Sequence, residues 1–402
     1  MALDVLNLAL WLVAGALFVF PALVLVQIVA ARGVQGAVVQ APAEEGRRPR
    51  VGVLVPAHDE VTGIARTLES ILPQLLTGDR LLVVADNCTD ATAAVARATG
   101  AEAIERTDPA RRGKGYALDF GVRHFEADPP EVVLVIDADC RLHAGSLDRL
   151  ARLCGRVSRP VQALDIMVAP PGAPLKTRIA AFAWVVKNHA RPLGTHRLGL
   201  PCQLMGTGMA LPWALIRNAP LATGHLVEDM RLGLDLAAAG AAPLFCPEAQ
   251  VSSTFPIDEA GIADQRARWE GGHLSVILGE APRALWHALR QRRFAVVAMV
   301  LDLSVPPLTM LAMLLCAQVL VDAFATAVLG AHAGPFAIAL ASLALFVAAV
   351  MLAWGAFGRS VVSATDLAGV LRYAGAKLPL YARLLMRRKV GWTRARRDDQ
   401  DD

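Results

Sequence analysis

Val132-Val133-Leu134-Val135-Ile136-Asp137-Ala138-Asp139 is five apolar residues followed by two carboxylates at i and i+2. A short β-branched run that stops at polar residues reads as a buried strand. Where the strand runs out, a bend can direct both carboxylates at one cation, and hard divalent ions such as Mg²⁺ or Mn²⁺ prefer such oxygen ligands together with phosphate. An ordinary acidic turn is the competing explanation, because two acids at this spacing are common.

The same design recurs upstream. Residues 51–55 lead into His58-Asp59-Glu60, and residues 81–85 lead into Asp86-Asn87. Helix-length segments separate these runs, the pattern of β-α units in an α/β, mainly parallel sheet with flanking helices. Ligands of such sheets bind beyond the carboxyl ends of the strands, so the three polar clusters are expected to meet at one crevice. Asn87-Cys88-Thr89-Asp90 is placed to cap a helix over 91–99, and Gly100 to stop it.

Further along, residues 108–115 read as a loop whose Gly113-Lys114-Gly115 lets backbone approach an anion while the lysine adds a point charge. It lacks the spacing of a Walker loop, and a solvated basic loop is the plainer explanation. Residues 202–212, with Gly206-Thr207-Gly208, read as a loop before a helix, able to line an acceptor site or simply to punctuate the chain. Glu228-Asp229 opens a helical pattern; the helix dipole alone accounts for acids there. The chemical alternative is a general base for a sugar hydroxyl, and Asp229 is our choice of the two. His225 reads as a surface or capping residue. In Gln265-Arg266-Ala267-Arg268-Trp269, helical spacing puts Gln265, Arg268 and Trp269 on one face. Arg268 then suits a leaving diphosphate and Trp269 a sugar platform, against the alternative of an Arg and a Trp seated at a bilayer surface.

Composition places this chemistry at a membrane. The 402 residues are 55% hydrophobic with mean hydropathy +0.44, too apolar for an ordinary soluble enzyme. Residues 3–31, 306–329 and 335–357 are spans by length, and 294–304 is a short interfacial or re-entrant helix. Arginines at 32, 47, 48 and 50, at 290, 292 and 293, and at 359 put the central region and the tail on the cytoplasmic side. The expected organisation is an anchor over 1–32, a linker over 33–50, and a cytoplasmic catalytic domain over 51–275. Interfacial helices over 276–304, spans over 305–330 and 335–357, and a basic amphipathic tail over 358–402 follow. The implied place is a bacterial-type inner (plasma) membrane, with the tail on anionic lipid and no nucleic-acid partner. Asp322, inside a span but near its outer end, suits snorkelling. So few intramembrane polar residues argue against a transporter. Six cysteines without metal-site spacing suit a reducing compartment.

These residues resemble a known family. Val53-Leu54-Val55-Pro56-Ala57-His58-Asp59-Glu60, Asp86, Gly113-Lys114-Gly115, Asp137-Ala138-Asp139, Glu228-Asp229 and the 265–269 motif are similar to the processive-type membrane glycosyltransferases of family 2. That group includes cellulose and hyaluronan synthases, ceramide glucosyltransferase and bacterial exopolysaccharide transferases. The resemblance implies a GT-A fold, a nucleotide-diphosphate sugar donor (UDP expected), hexosyl transfer with inversion, and Mg²⁺ or Mn²⁺. By position, Pro56 would border the donor, Glu60 and Asp86 the nucleoside, Asp137 the ribose or metal, and Asp139 the metal. Lys114 and Arg268 would hold the diphosphate, Asp229 would be the base, and Gln265 and Trp269 would lie between donor and acceptor. Gly206 and Glu228 would face the acceptor. Val227 departs from the threonine common in the family. Polymer-exporting members have more than three spans, which favours a lipid-linked or glycolipid acceptor here. A processive synthase, or a non-catalytic nucleotide-binding subunit among polysaccharide-assembly partners, is the alternative.

Overall fold

A computed structural model describes residues 1–33, 46–224, 227–256 and 259–367, with the side chains of 259–268 and 367 outside the description. The expectations for the 368–402 tail, for His225 and for the side chains of Gln265 and Arg268 therefore lie outside the described residues. The described chain forms two units, one from 46–172 and 199–300, the other from 1–33, 173–198 and 301–367.

The first unit is built on β1 (Val51–Ala57), β2 (Arg80–Asp86), β3 (Glu102–Arg106) and β4 (Val132–Val135), all parallel. Between them run α2 (Ile64–Ile71), α3 (Thr92–Thr99) and α4 (Lys114–Phe125), and α5 (Ser146–Val157) follows. Helices cover both faces, which is why these strands read as unbroken apolar runs rather than alternating ones. Ile64, Leu68, Leu147 and Leu150 pack on one face, and Leu118, Val122 and Phe125 on the other.

The rest of the sheet is mixed. β5 (Arg141–Leu142), β6 (Val161–Val168), β7 (Met209–Pro212) and β8 (Leu244–Thr254) complete eight strands in the order β3-β2-β1-β4-β7-β6-β8-β5. The reading of 202–212 as loop needs correction: its last four residues are β7, antiparallel to β4 from Val135↔Met209 to Val132↔Pro212. Four residues are too few to carry a period, so only the partner strand reveals them. Likewise α4 begins at Lys114, inside what reads as loop. Helices α8 (Trp213–Ile216), α9 (Glu228–Ala238), α10 (Glu259–Gly279), α11 (Ala281–Arg290) and most of α12 (Phe294–Leu303) complete this unit.

Three helices of the second unit are long and apolar enough to cross a membrane: α1 (Ala2–Arg32), α13 (Leu308–Leu329) and α14 (Ala333–Ala353), the last continued by a π-helical turn to Gly358. The buried residues of α14 recur at intervals of three and four, at Pro335, Ala339, Ser342, Phe346, Ala349 and Ala353, and so form one helix face. Asp322 corrects the snorkelling reading. It is 2% exposed and lies on the buried face of α13 one turn from Gln318.

Residues 173–198, which read as part of the catalytic domain, belong to this second unit. They form α6 (Leu175–Val185), a π turn over Val186–Ala190, and α7 (Arg191–Arg197). Phe182, Val186 and Ala190 pack with Val24, Ile28 and Leu311. Buried Arg191 donates to Gln27 Oε1 at 3.0 Å and to Asp302 Oδ1 at 2.6 Å, while Gln27 donates to the same carboxylate oxygen at 2.6 Å. Arg197 donates to the Ala31 and Gly33 carbonyls at 2.6 Å, satisfying acceptors that the end of α1 leaves open. A short helix, α15 (Ala364–Leu367), is held through Asp366 by both terminal nitrogens of Arg178, at 2.6 and 2.9 Å.

Candidate active site

At the carboxyl ends of β1 and β2 the loops are tied to one another. His58 Nδ1 meets the Asp86 carbonyl at 2.7 Å, the Glu60 amide donates to Thr92 Oγ1 at 2.7 Å, and the Val61 amide donates to Asp90 Oδ2 at 3.1 Å. Pro56 lies in β1 beside Val84 of β2, and Glu60 follows in the loop beyond the strand. Asp86, 6% exposed, accepts from Arg106 at 2.6 Å and from Asn87 at 3.0 Å. Arg106 sits opposite Asp86 in the β2–β3 register and packs 5.4 Å over the Tyr116 ring. Neither Arg106 nor Tyr116 is singled out by the sequence, because the pairing comes from strands 20 residues apart.

The second corner is built around Lys114 at the start of α4. Its ammonium forms an ion pair with Asp137 and donates to the Gly206 carbonyl at 2.8 Å. Gly115 behind it has no room for a side chain, since a Cβ there would lie 2.4 Å from the Leu221 carbonyl oxygen. A Cβ on Gly206 would be 3.5 Å from both Lys114 Nζ and Asp229 Oδ2, so the lysine, the loop and the α9 acid meet at one point. Glu228 and Asp229 open α9, and Asp229 is buried. Asp137 and Asp139 hold ligand atoms within 4.8 Å of each other and of Cys140 Sγ. Trp269 is half-buried on α10, and the backbone of Gln265 and Arg268 belongs to the same helix.

Acids outnumber the lysine here. Burial works against the Lys114 ammonium, but Asp137, Glu228 and Asp229 outweigh it and hold the group above lysine's ordinary value, fully charged. About a quarter of its side chain and a third of that of Asp137 stay open to solvent (23% and 34%), so water screens the pair. Burial, reinforced by Asp229 and opposed by Lys114, pushes Glu228 up to about 7. A small cavity beside it is lined by Leu118, Met209, Leu221 and Leu232 together with the polar side chains of Thr223, Arg231 and Asp235. Burial also raises Cys140 well above a thiol's usual value, and a hard divalent cation prefers the oxygens of the two aspartates to its sulfur. Two carboxylates in an acidic pocket fit a hard divalent cation.

An acidic crevice at the strand ends of a curled, mostly parallel sheet is the layout of a GT-A-type transferase. The chain belongs to the family described as Glycosyltransferase like family 2, whose model matches residues 49–272, more than half of the sequence. Uncharacterized glycosyltransferases of Mycobacterium tuberculosis and Mycobacterium bovis are 38% identical over 100 residues, 25% of this chain. The chain spans 41% of the length of these curated relatives. A mannosyltransferase from Pyrobaculum calidifontis, solved with GDP-mannose and Mn²⁺, shares the fold. The match has a TM-score of 0.51 at 19% identity and covers 94% of this chain and 100% of that one.

Proposed function

We propose that the protein is an inverting glycosyltransferase that moves a sugar from a nucleotide-diphosphate sugar, a UDP-sugar first, to a lipid-linked or glycolipid acceptor at the cytoplasmic face of a membrane. The observation that carries this reading is the meeting of Lys114, Asp137, Gly206 and Asp229, from four separate segments, at one point beside Asp139. Three helices of membrane-crossing length in the same chain support a lipid acceptor. With three such helices among the described residues, single addition is the reading taken here over polymer export.

In this reading Glu60, Asp86 and Pro56 border the nucleoside, and Asp137 and Asp139 would hold Mg²⁺ or Mn²⁺, which supplies charge stabilisation to the departing diphosphate. Lys114 adds a fixed cation at the amino end of α4, where the helix dipole also favours an anion. Arg268 and Gln265 would extend that contact from α10, with Trp269 as a platform for the sugar. Asp229 takes the proton of the acceptor hydroxyl as its oxygen bonds to the anomeric carbon and the bond to the diphosphate breaks on the opposite face. Gly206 and Glu228 border the acceptor.

The test is incubation of the purified full-length protein with UDP- and GDP-sugars, Mn²⁺ and a bacterial lipid extract, followed by mass measurement of the lipids. A lipid heavier by one sugar residue is expected with the wild type and absent with Asp139→Ala and Asp229→Asn. Asp229→Asn should still bind nucleotide. Full turnover by Asp229→Asn would remove it as the base, and a ladder of products would turn the reading to a processive synthase.

A further inference from the structure

Gln162 lies in β6 with no solvent exposure, and its carboxamide is used on both sides. Nε2 donates to the Ala163 carbonyl at 2.9 Å and to the Thr207 carbonyl at 2.8 Å, and Oε1 accepts from the Met205 amide at 2.8 Å. Thr207, 4% exposed, passes the connection on: its Oγ1 accepts from the Asp137 amide at 3.1 Å. Between these anchors sits Gly206, whose carbonyl accepts from Lys114 at 2.8 Å. Gly206 and Gly208 hold φ of +89° and +66°, and a Cβ on Gly208 would come within 2.8 Å of Ala163 Cβ.

A fully buried carboxamide costs stability unless every bond is made, and here two of the three bonds go to the 205–207 loop and one to the neighbouring strand residue Ala163. We propose that Gln162 and Thr207 are positioning residues that latch the 205–207 loop to the Asp137-Ala138-Asp139 turn, so that the acids of that turn and Lys114 are set by one hydrogen-bonded unit, with Asp229 beside its Gly206. The inference rests on the donor-site reading above, and it assigns to the sheet interior the task of fixing the distance between cation and base.

The experiment uses full-length Thr207→Val, Thr207→Ser and Gln162→Leu. Mn²⁺ affinity is read by electron paramagnetic resonance with UDP present, and amide exchange is read over 137–140 and 203–208. Valine keeps the shape and removes the acceptor, so Mn²⁺ should bind about tenfold more weakly, whereas the serine hydroxyl restores affinity to within about twofold of wild type. Wild-type affinity in Thr207→Val overturns the latch. If the wild-type protein binds no Mn²⁺ with UDP, the donor-site reading fails and the exchange data still decide this one. Gln162→Leu and Thr207→Val should speed exchange at Asp137, and unchanged exchange in both overturns the proposal. Should Gln162→Leu fail to fold, the two Thr207 variants decide it alone.

Discussion

Glu228 is the residue whose environment has the clearest measurable consequence. In an unfolded chain it titrates near 4.5, while in the fold it is pushed up to about 7. Between those values the native state keeps a proton that the unfolded chain has released. Its contribution to stability is therefore complete below pH 4.5 and is lost as pH rises through 7. Glu228→Gln should flatten the fall in stability over that window, measured by denaturant unfolding at a series of pH values. A slope equal to that of wild type would show that Glu228 is not held protonated. The acids themselves are legible in the sequence because each follows a strand or opens a helix. Arg106 is not, since nothing local distinguishes it from the other arginines until β3 pairs with β2 and sets it against Asp86.

At the level of elements, two close approaches hold the architecture. Gly115 lets α4 run against the 221–223 backbone, and Gly194 lets α7 run against α1, where a Cβ would lie 2.0 Å from the Gln27 carbonyl oxygen. Gly115→Ala should move the start of α4 and with it Lys114; a displacement of about 1 Å lowers transfer on the order of a hundredfold. Activity near wild type would mean that Lys114 does not need its present position. Arg191→Leu would leave Gln27 and Asp302 without their shared partner, and breaking such a buried pair costs roughly 3 kcal/mol or more. Thermal unfolding of the full-length protein in detergent should show that loss, and an unchanged midpoint would contradict it. The apolar runs of β1, β2 and β4 and the three long helices are visible in the sequence, since burial on all sides leaves a continuous hydrophobic signal. The strand β7 and the segment 173–198 are not. The first is too short to show a period, and the second mixes Lys176, Arg178, Lys187, Arg191 and Arg197 with the apolar residues it buries.

For the whole molecule, one sheet gathers acids from distant parts of the sequence, and a separate unit carries three helices long enough to cross a membrane. The donor-site reading turns on that gathering more than on any single motif. The most direct measurement is titration of the purified full-length protein with Mn²⁺, with and without UDP. The nucleotide should tighten Mn²⁺ binding, and Asp139→Ala should abolish the effect, because the proposed function has metal and diphosphate share the space between Asp139 and Lys114. Mn²⁺ binding that ignores UDP, or that survives intact in Asp139→Ala, would contradict it.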